Sequence, residues 1–305
     1  MRKFLGTVFI VMIVMFFAGC FMMVNGIIDE LYIHEPKLAK PSILFLKLEG
    51  VIINGDEFLE NLRKYAKEDK IKGVLIQINS PGGVVGPSQE LYSEIKRVRA
   101  ELKKPVVVSC LGLAASGAYY AAVAADKIIT NPGSMLGSIG VIMEFANLEK
   151  LYEWAKIKRY TIKTGQYKDS GAEYREMRDD EKQLFQDLAN EVLLQFKTAV
   201  ASARHLPLDF VNKYSDGRVF TGATAVALKF ANQIGTLEDA TQIVGQLSGL
   251  GTKPKIFIPP PKRLGVLSDI FAEAKSRLSI SSALREEMGL RLIGQPLFIM
   301  PGANF

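Results

Sequence analysis

The chain has few of the residues on which most catalytic and metal sites depend. Its 305 residues include two histidines and two cysteines. Cys20 lies within a long apolar segment and Cys110 follows a short one, so they predict neither a disulfide framework nor a metal site. We interpret His34 and His205 as surface residues, so the chain has few histidines that could serve in a Ser-His-Asp triad. We therefore expect no metal and no other cofactor.

The sequence also lacks a long run of residues that all carry the same sign of charge. Lys and Arg number 38 and Asp and Glu 32, which gives a net charge of +6. The basic residues are interspersed with acids, as in 63–72, and no basic block is interleaved with aromatic residues. Nucleic-acid binding is therefore unsupported. The hydrophobic content of 48% is ordinary for a globular protein with a large core.

One long apolar run is present, at the N-terminus. No charged residue occurs from Phe4 to Ile28. The apolar part, 4–24, would span about 31 Å as a helix, which is enough to cross a bilayer. Two basic residues precede the run and two acidic residues follow it, which places the bulk of the chain outside the cytoplasm. We expect 1–28 to be a short tail and transmembrane anchor in the inner (cytoplasmic) membrane, with the rest periplasmic or extracytoplasmic.

Two other interpretations of this run stay open. FAGC (17–20) can be a lipoprotein signal ending at Cys20, although Phe17 is a poor fit where such motifs usually carry Leu. A cleaved signal peptide is the other, but the run is longer than a usual apolar core and lacks a clean A-x-A site. Under all three interpretations, the domain that follows is exported from the cytoplasm.

After a linker at 29–42, residues 43–247 alternate short apolar strands with amphipathic helices. Strands are predicted at 43–53, 73–79, 106–108 and 158–165, and helices at 56–69, 87–102, 147–157, 180–204 and 236–247. This alternation predicts an α/β domain with largely parallel strands. The long helix at 180–204 is expected to turn four side chains inward: Leu184, Leu188, Val192 and Phe196.

Residues 248–305 differ in character from the domain before them. A proline-broken linker at 253–265 is followed by amphipathic helical pieces at 264–293 and by the apolar tail PLFIMPGANF. This tail can pack on the domain, on a sister subunit or on the membrane surface, and its role stays open.

Ser116 lies where the strand beginning at Val106 passes, through small residues, into a small-residue helix. Hydrolases often place a nucleophile at such a turn, because small neighbours admit a substrate backbone and the helix start offers free N–H groups. The alternative is that Ser116 only caps a buried helix. Similarly, the Pro-Gly-Gly turn at 81–83 can present N–H groups to a substrate oxygen or be a simple tight turn. In an open α/β sheet both turns would line one crevice.

Five motifs occur in a fixed order along the domain: NSPGG (79–83), AASGAYYAAVAADKI (114–128), PGSMLGSIGV (132–141), GQYKD (165–169) and DGRVFTG (216–222). Together they resemble the short, single-repeat bacterial form of the signal peptide peptidase A (SppA) family, a membrane-anchored branch of the Clp-protease/crotonase superfamily. The resemblance covers about 43–247. It implies a Clp/crotonase-like repeated ββα fold, a homo-oligomer, and hydrophobic peptides such as signal-peptide remnants as substrates.

The resemblance also implies a serine endopeptidase with a Ser/Lys dyad. Ser116 matches the nucleophile, and Lys168, 52 residues downstream, matches the general base. Ser138 matches a serine that hydrogen-bonds the lysine, and the N–H groups of Gly83 and Gly117 match the oxyanion hole. In such an oligomer the lysine of one protomer can act on the serine of its neighbour.

The chemistry of such a dyad requires a neutral amine. An unperturbed lysine has a pKa near 10.4, so lowering it to about 8 by burial disfavours the charged form by roughly 3 kcal/mol. A hydroxyl such as that of Ser138 can orient the amine without adding negative charge. A carboxylate would stabilise the charged form, so we expect Asp169 to point away, toward Arg175 or solvent.

Two other function classes share these features. A crotonase-like acyl-CoA enzyme uses similar oxyanion-forming turns, but export from the cytoplasm, where CoA is found, argues against it. A non-catalytic membrane scaffold of the same fold would not need both Ser116 and Lys168.

Overall fold

The computed structural model describes residues 38–260 and 296–299, together with Met15 and Gly19. The predicted anchor, Cys20 and the helical pieces at 264–293 therefore lie outside the described residues. No helix within the described ranges is long and apolar enough to cross a membrane. The chain divides into two compact units, Met1–Ala39 and Lys40–Phe305. The elements below belong to the second.

A largely parallel sheet forms the core of this unit, as the alternation of elements predicts. The strands of the unit are β1 (Ser42–Glu49), β2 (Ile71–Ser80), β3 (Gly82–Val84), β4 (Val106–Ala115), β5 (Lys127–Thr130), β6 (Met135–Gly137), β7 (Val219–Thr221), β8 (Gln233–Ile234), β9 (Ile256–Phe257) and β10 (Leu297–Ile299). Of these, β3 and β10 form a separate pair and the other eight form the sheet. The main path is β7-β6-β4-β2-β1-β9, while β5 pairs with β4 and β8 with β5. Within this sheet only β7 is antiparallel to its neighbour.

Helices cover the sheet and its edges. They are α1 (Asp56–Tyr65), α2 (Val85–Ala100), α3 (Gly117–Ala122), α4 (Glu149–Trp154), α5 (Asp179–Arg204), α6 (Leu208–Lys213), α7 (Gly222–Ala227) and α8 (Leu237–Leu247). On one face, Ala240 and Val244 of α8 pack against a buried apolar row from β1, β2, β4 and β5. Because the central strands are buried on both faces, their sequences are nearly continuous apolar runs rather than alternating ones.

Strand β4 positions the candidate site. Residues 106–115 form one strand, longer than the predicted 106–108, so that Ser116 follows it directly. Its first half pairs with β5 and its last three residues pair with β6, while β2 runs along its other side. The carboxyl ends of β2, β4 and β6 therefore meet at one edge of the sheet, as predicted for the crevice.

Two of the predicted features are wrong. Residues 158–165 form no strand: no described strand lies beside them to pair with their backbone, and Tyr160 and Ile162 are 86% and 102% exposed. The long helix exists, but only Phe196 of its four predicted inward residues is buried. Leu184 and Leu188 are 41% and 39% exposed, whereas Phe196 packs against Tyr120 of α3 and Phe298 of β10.

The C-terminal region contributes strands to the domain. Within the predicted linker at 253–265, β9 pairs in parallel with β1, so the sheet extends beyond residue 247. From the apolar tail, β10 pairs antiparallel with β3. Of the three placements left open for the tail, this part of it packs on the domain.

Candidate active site

Ser116 occupies a strained turn at the end of β4. Its φ of 53° and ψ of −118° are unusual for a residue with a side chain and cost about 1–3 kcal/mol, a strain that clusters at functional sites. Ser116 is only 1% exposed, and its Oγ has no hydrogen-bond partner among the described residues. Ser116 occupies the N-cap position of α3, but its hydroxyl accepts no N–H from that helix, so capping does not account for the side chain. An unpartnered buried hydroxyl is available for chemistry.

Three glycines surround this turn, and a Cβ on any of them would collide with a neighbouring backbone or side-chain atom. A Cβ on Gly83 would lie 2.0 Å from the carbonyl oxygen of Ile52, which bridges β3. A Cβ on Gly82, whose φ is +96°, would lie 2.6 Å from the amide nitrogen of Gly117, and one on Gly117 would lie 2.3 Å from Ser88 Oγ. The backbones of the two predicted oxyanion residues, Gly83 and Gly117, are thus brought to one place.

Ser138 lies beside Ser116 in the sheet. Ala115 of β4 pairs with Gly137 of β6, so the two serines directly follow paired residues at the ends of adjacent parallel strands. The N–H of Ser116 donates to the Gly137 carbonyl at 2.7 Å, and Ser138, 3% exposed, also has a positive φ of 51°. Two strained serines at one sheet edge form the buried half of the candidate site.

Lys168 lies in a different setting. It belongs to the segment 147–178, which we call the arm, where its N–H donates to the Gly165 carbonyl at 3.2 Å and its side chain is exposed. Because Ser116 Oγ has no partner in the described part of the chain, one protomer alone does not place the lysine on the serine. The structure brings together Ser116, Ser138, Gly83 and Gly117, and it leaves Lys168 apart.

A buried ion-pair network fixes the part of the arm that carries Lys168. Arg175 donates to Asp169 at 2.9 Å and to Glu181 at 2.6 Å. Glu181, fully buried in the first turn of α5, also accepts from Ser170 Oγ and from the Arg178 N–H. The bonds from Arg175 lower the pKa of Glu181 to about 2 and, with Lys163, hold the pKa of Asp169 well below its usual range.

The expectation that Asp169 points toward Arg175 is confirmed by these bonds. The carboxylate is satisfied by Arg175 and by Lys163 at 2.5 Å. The arm therefore presents Lys168 next to an acid whose charge is already compensated by Arg175 and Lys163.

Sequence reasoning missed several residues of this site. Gly82 and Ser88 pack against Gly117, and Glu181 anchors the loop of Lys168. A signal existed for Glu181, because Asp179, Asp180 and Glu181 are clustered at a helix start, where acids are favoured. No sequence signal pointed to Ser88, which looks like any helical serine.

Among the described residues, neither a thiol nucleophile nor a metal site finds support. Cys110 is fully buried, and burial raises the pKa of its thiol to about 12, so it carries little thiolate. The described ranges contain no group of three or more His, Cys, Asp or Glu side chains placed to hold a metal.

Comparison with known families gives two matches. The model of peptidase family S49 matches residues 99–251, and the model of the Clp protease family matches residues 32–136. The first covers both serines, Gly117 and Lys168, and the second covers the strands and turns that hold Gly83 and Ser116.

Individual relatives agree with these matches. A Synechocystis sp. protein named as a candidate protease (slr0021) is 36% identical, over 85% of this chain and 96% of its own length. The chloroplastic serine protease SPPA of Arabidopsis thaliana is 34% identical, over 70% of this chain and 31% of its own. An Enterococcus faecium protein named as a candidate signal peptide peptidase SppA is 33% identical, over 61% and 54% respectively. The chain thus spans nearly all of the first relative and about half or less of the other two.

Proposed function

The chain belongs to peptidase family S49 and has a mixed α/β, Clp-protease-like fold, and we propose that it is a serine endopeptidase with Ser116 as nucleophile. The observation that carries the proposal is the Ser116 turn itself. A buried hydroxyl without a partner, held at a strained φ beside the backbones of Gly83 and Gly117, costs stability and is explained by catalysis. The printed name of the Arabidopsis relative, a serine protease, supports the same reaction class.

The proposed mechanism combines Lys168 with the buried half of the site. Lys168, as a neutral amine, takes the Ser116 proton while Oγ attacks the scissile carbonyl carbon. The N–H groups of Gly83 and Gly117 stabilise the oxyanion, and preorganised donors of this kind are worth about 3–4 kcal/mol each. The protonated lysine then gives its proton to the leaving amine, and the acyl group remains bonded to Ser116 Oγ as an ester. Water, deprotonated by the neutral lysine, attacks this ester, releases the carboxylate product and restores the serine hydroxyl. Ser138, beside Ser116 at the sheet edge, orients the lysine amine.

We propose that the dyad is completed between protomers of a homo-oligomer. Lys168 is exposed in the single chain, and the arm that carries it has large apolar side chains in solvent, among them Trp154 at 81% and Tyr160 at 86% exposed. Exposed apolar surface of this kind is typical of an interaction site. A neighbouring subunit would bury Lys168 and thereby favour its neutral form.

We further propose hydrophobic peptides, including signal-peptide remnants, as substrates. The printed name of the Enterococcus relative and the apolar run at 4–24 support this assignment. A transmembrane anchor formed by 1–28 would hold the domain on the extracytoplasmic side of the inner membrane, where such remnants lie.

A serine-reactive fluorophosphonate probe tests the nucleophile. After labelling of the full chain, peptide mapping is expected to find the adduct on Ser116 and no adduct in Ser116→Ala. Ser93→Ala is the matched control, since Ser93 is an exposed serine whose Oγ donates to the Gln89 carbonyl, and it should be labelled like the wild type. An adduct on another serine, or full peptide hydrolysis by Ser116→Ala, would overturn the assignment of Ser116. A wild type that takes no probe and hydrolyses no peptide would favour the non-catalytic scaffold.

A further inference from the structure

Ser88 is a buried serine that the proposed mechanism does not use. It lies near the start of α2, the helix that follows β3 without a break, and it is fully buried. Its Oγ donates to the carbonyl of Val84, four residues earlier, at 2.8 Å. A serine hydroxyl has one proton, so this bond commits the proton and fixes the direction in which the free lone pairs of Ser88 point.

The Ser88 hydroxyl contacts the backbone of Gly117. A Cβ on Gly117 would lie 2.3 Å from Ser88 Oγ and 3.1 Å from Ser88 Cβ, so the Cα hydrogen that takes its place points at the oxygen. A Cα–H that faces an oxygen in this way is weakly attracted to it. The amide nitrogen of Gly117, in turn, lies 2.6 Å from where a Cβ on Gly82 would be. The backbone of Gly117 is thus held between Ser88 and the turn of Gly82.

The same side chain is bonded to the residue that follows Gly83. Val84 donates its N–H to the Ile52 carbonyl at 2.7 Å and accepts the Ser88 hydroxyl on its own carbonyl, so its position in β3 is fixed from both ends. Ser88 therefore reaches both residues of the predicted oxyanion hole. It reaches Gly83 through a hydrogen bond to the adjoining residue, and it reaches Gly117 by direct contact.

A separate contact holds the two helices side by side. One turn farther along α2, the ring of Tyr92 meets the ring of Tyr120 of α3 edge-on, with 5.1 Å between the ring centroids. This contact does not involve Ser88, which acts at the first residue of α3. Loss of the Ser88 hydroxyl should therefore leave α2 packed on α3 and change only the spacing where Gly83 and Gly117 meet.

We propose that Ser88 is a positioning residue that sets the distance between the N–H groups of Gly83 and Gly117. The proposal rests on the proposed function, because this distance matters only if Ser116 attacks a carbonyl whose oxygen both groups stabilise. Such donors act by being held in place before the charge develops. A misplacement of about 1 Å costs on the order of 100-fold in rate, so the smaller shift caused by one missing hydroxyl should cost about 10-fold.

Reporter-peptide kinetics of the full chain, expressed per site titrated with the fluorophosphonate probe, test this role without counting unfolded protein. Ser88→Ala is expected to lower kcat about 10-fold and to leave KM within about twofold, because the oxyanion forms only after the substrate is bound. Ser88→Cys, which places a larger atom against Gly117, should lower kcat by a similar factor and is a second variant should Ser88→Ala not fold. Ser93→Ala is the matched control, since Ser93 makes the same bond, to the Gln89 carbonyl at 2.8 Å, on the exposed side of α2. Its kcat should equal that of the wild type.

Inhibition by a leucine-rich tripeptide aldehyde and by the corresponding alcohol separates positioning from a merely structural role. The aldehyde adds Ser116 Oγ and places an oxygen in the oxyanion hole, whereas the alcohol forms no adduct. Ser88→Ala should weaken inhibition by the aldehyde about 10-fold and leave inhibition by the alcohol unchanged.

Three results would overturn the proposal or its premise. A wild-type kcat and aldehyde affinity in Ser88→Ala, with Ser116 still labelled, would show that Ser88 does not position the oxyanion hole, and the peptidase would stand. An equal loss of aldehyde and alcohol binding would reduce Ser88 to a structural residue, again with the peptidase intact. If the wild type takes no probe and cuts no reporter, the proposed function itself fails.

Discussion

The two halves of the candidate site are built in opposite ways. Ser116, Ser138 and the glycines lie at the ends of buried strands, where backbone packing dictates their conformation. Lys168 lies on the arm, in solvent, where ion pairs to α5 hold its loop. The first half is complete in one chain, and the second lacks the burial that a lysine base requires.

This difference indicates where control of activity resides. The nucleophile half cannot be altered without disturbing the core, because Gly83 and Gly117 have backbone or side-chain atoms at the position of any Cβ. The arm contributes no strand, so its position does not enter the pairing of the sheet. A peptidase arranged in this way would be inactive as a single chain and would become active when the arm of one protomer meets the serine of another.

Removing the lysine should have the largest effect. Lys168→Ala is expected to lower peptide hydrolysis by about 10²–10⁴-fold, the usual contribution of a general base, without changing the melting temperature. Lys158→Ala, an exposed lysine of the same arm, is the control and should be near wild type. Equal losses in both variants would show that the arm matters only as a charged surface.

Weakening the arm's anchor should have a smaller effect. Arg175→Ala removes the bonds to Asp169 and Glu181, leaves the buried Glu181 carboxylate with Arg178 as its remaining ion-pair partner, and is expected to lower kcat/KM by about 10–100-fold through a misplaced Lys168. Arg63→Ala, which breaks surface pairs between α1 and α2, is the control. An unchanged kcat/KM in Arg175→Ala would show that this network does not position Lys168.

Removing the second serine should cost less than removing the lysine. Ser138→Ala is expected to lower kcat about 10-fold, since it orients the amine rather than transferring a proton, a loss of roughly 1.4 kcal/mol in transition-state stabilisation. Ser134→Ala, a buried serine of the same strand region whose Oγ donates to Leu111, is the control for packing. A wild-type rate for Ser138→Ala would exclude it from the mechanism.

The smallest effect is expected from low pH, which should weaken the attachment of the arm. The pKa of Glu181 is lowered to about 2 by Arg175, so its contribution to stability is present above its unfolded pKa, near 4.3, and is lost as pH falls toward 2. Limited proteolysis within the arm should therefore be unchanged from pH 7 to pH 5 and should increase below pH 4. An arm that opens already at pH 6 would contradict the role of this carboxylate.

The sequence predicted the sheet better than the arm, for a physical reason. Buried strands such as β2 and β4 have long β-branched and apolar runs, and the small residues around Ser116 indicate a close approach. Residues 158–165 have the same local pattern, but none of the described strands pairs with them. Local β propensity alone therefore does not produce the predicted strand.

The position of β10 could not be predicted from local pattern at all. Leu297, Phe298 and Ile299 read only as an apolar tail, and their pairing with β3 depends on a groove formed by residues some 150–210 positions away in sequence. Likewise, α5 has one continuous apolar stripe, but Phe196 is buried against Tyr120 and Phe298 while Leu184 and Leu188 remain exposed.

Mixing two inactive variants tests the central claim, that serine and lysine come from different protomers, most directly. Ser116→Ala and Lys168→Ala are each expected to be inactive on a reporter peptide. If they are unfolded and refolded together in equal amounts, random assembly should restore about a quarter of wild-type activity, because a site is complete when each neighbour supplies its intact residue. A mixture that assembles as the wild type does and stays as inactive as its parents would contradict the claim.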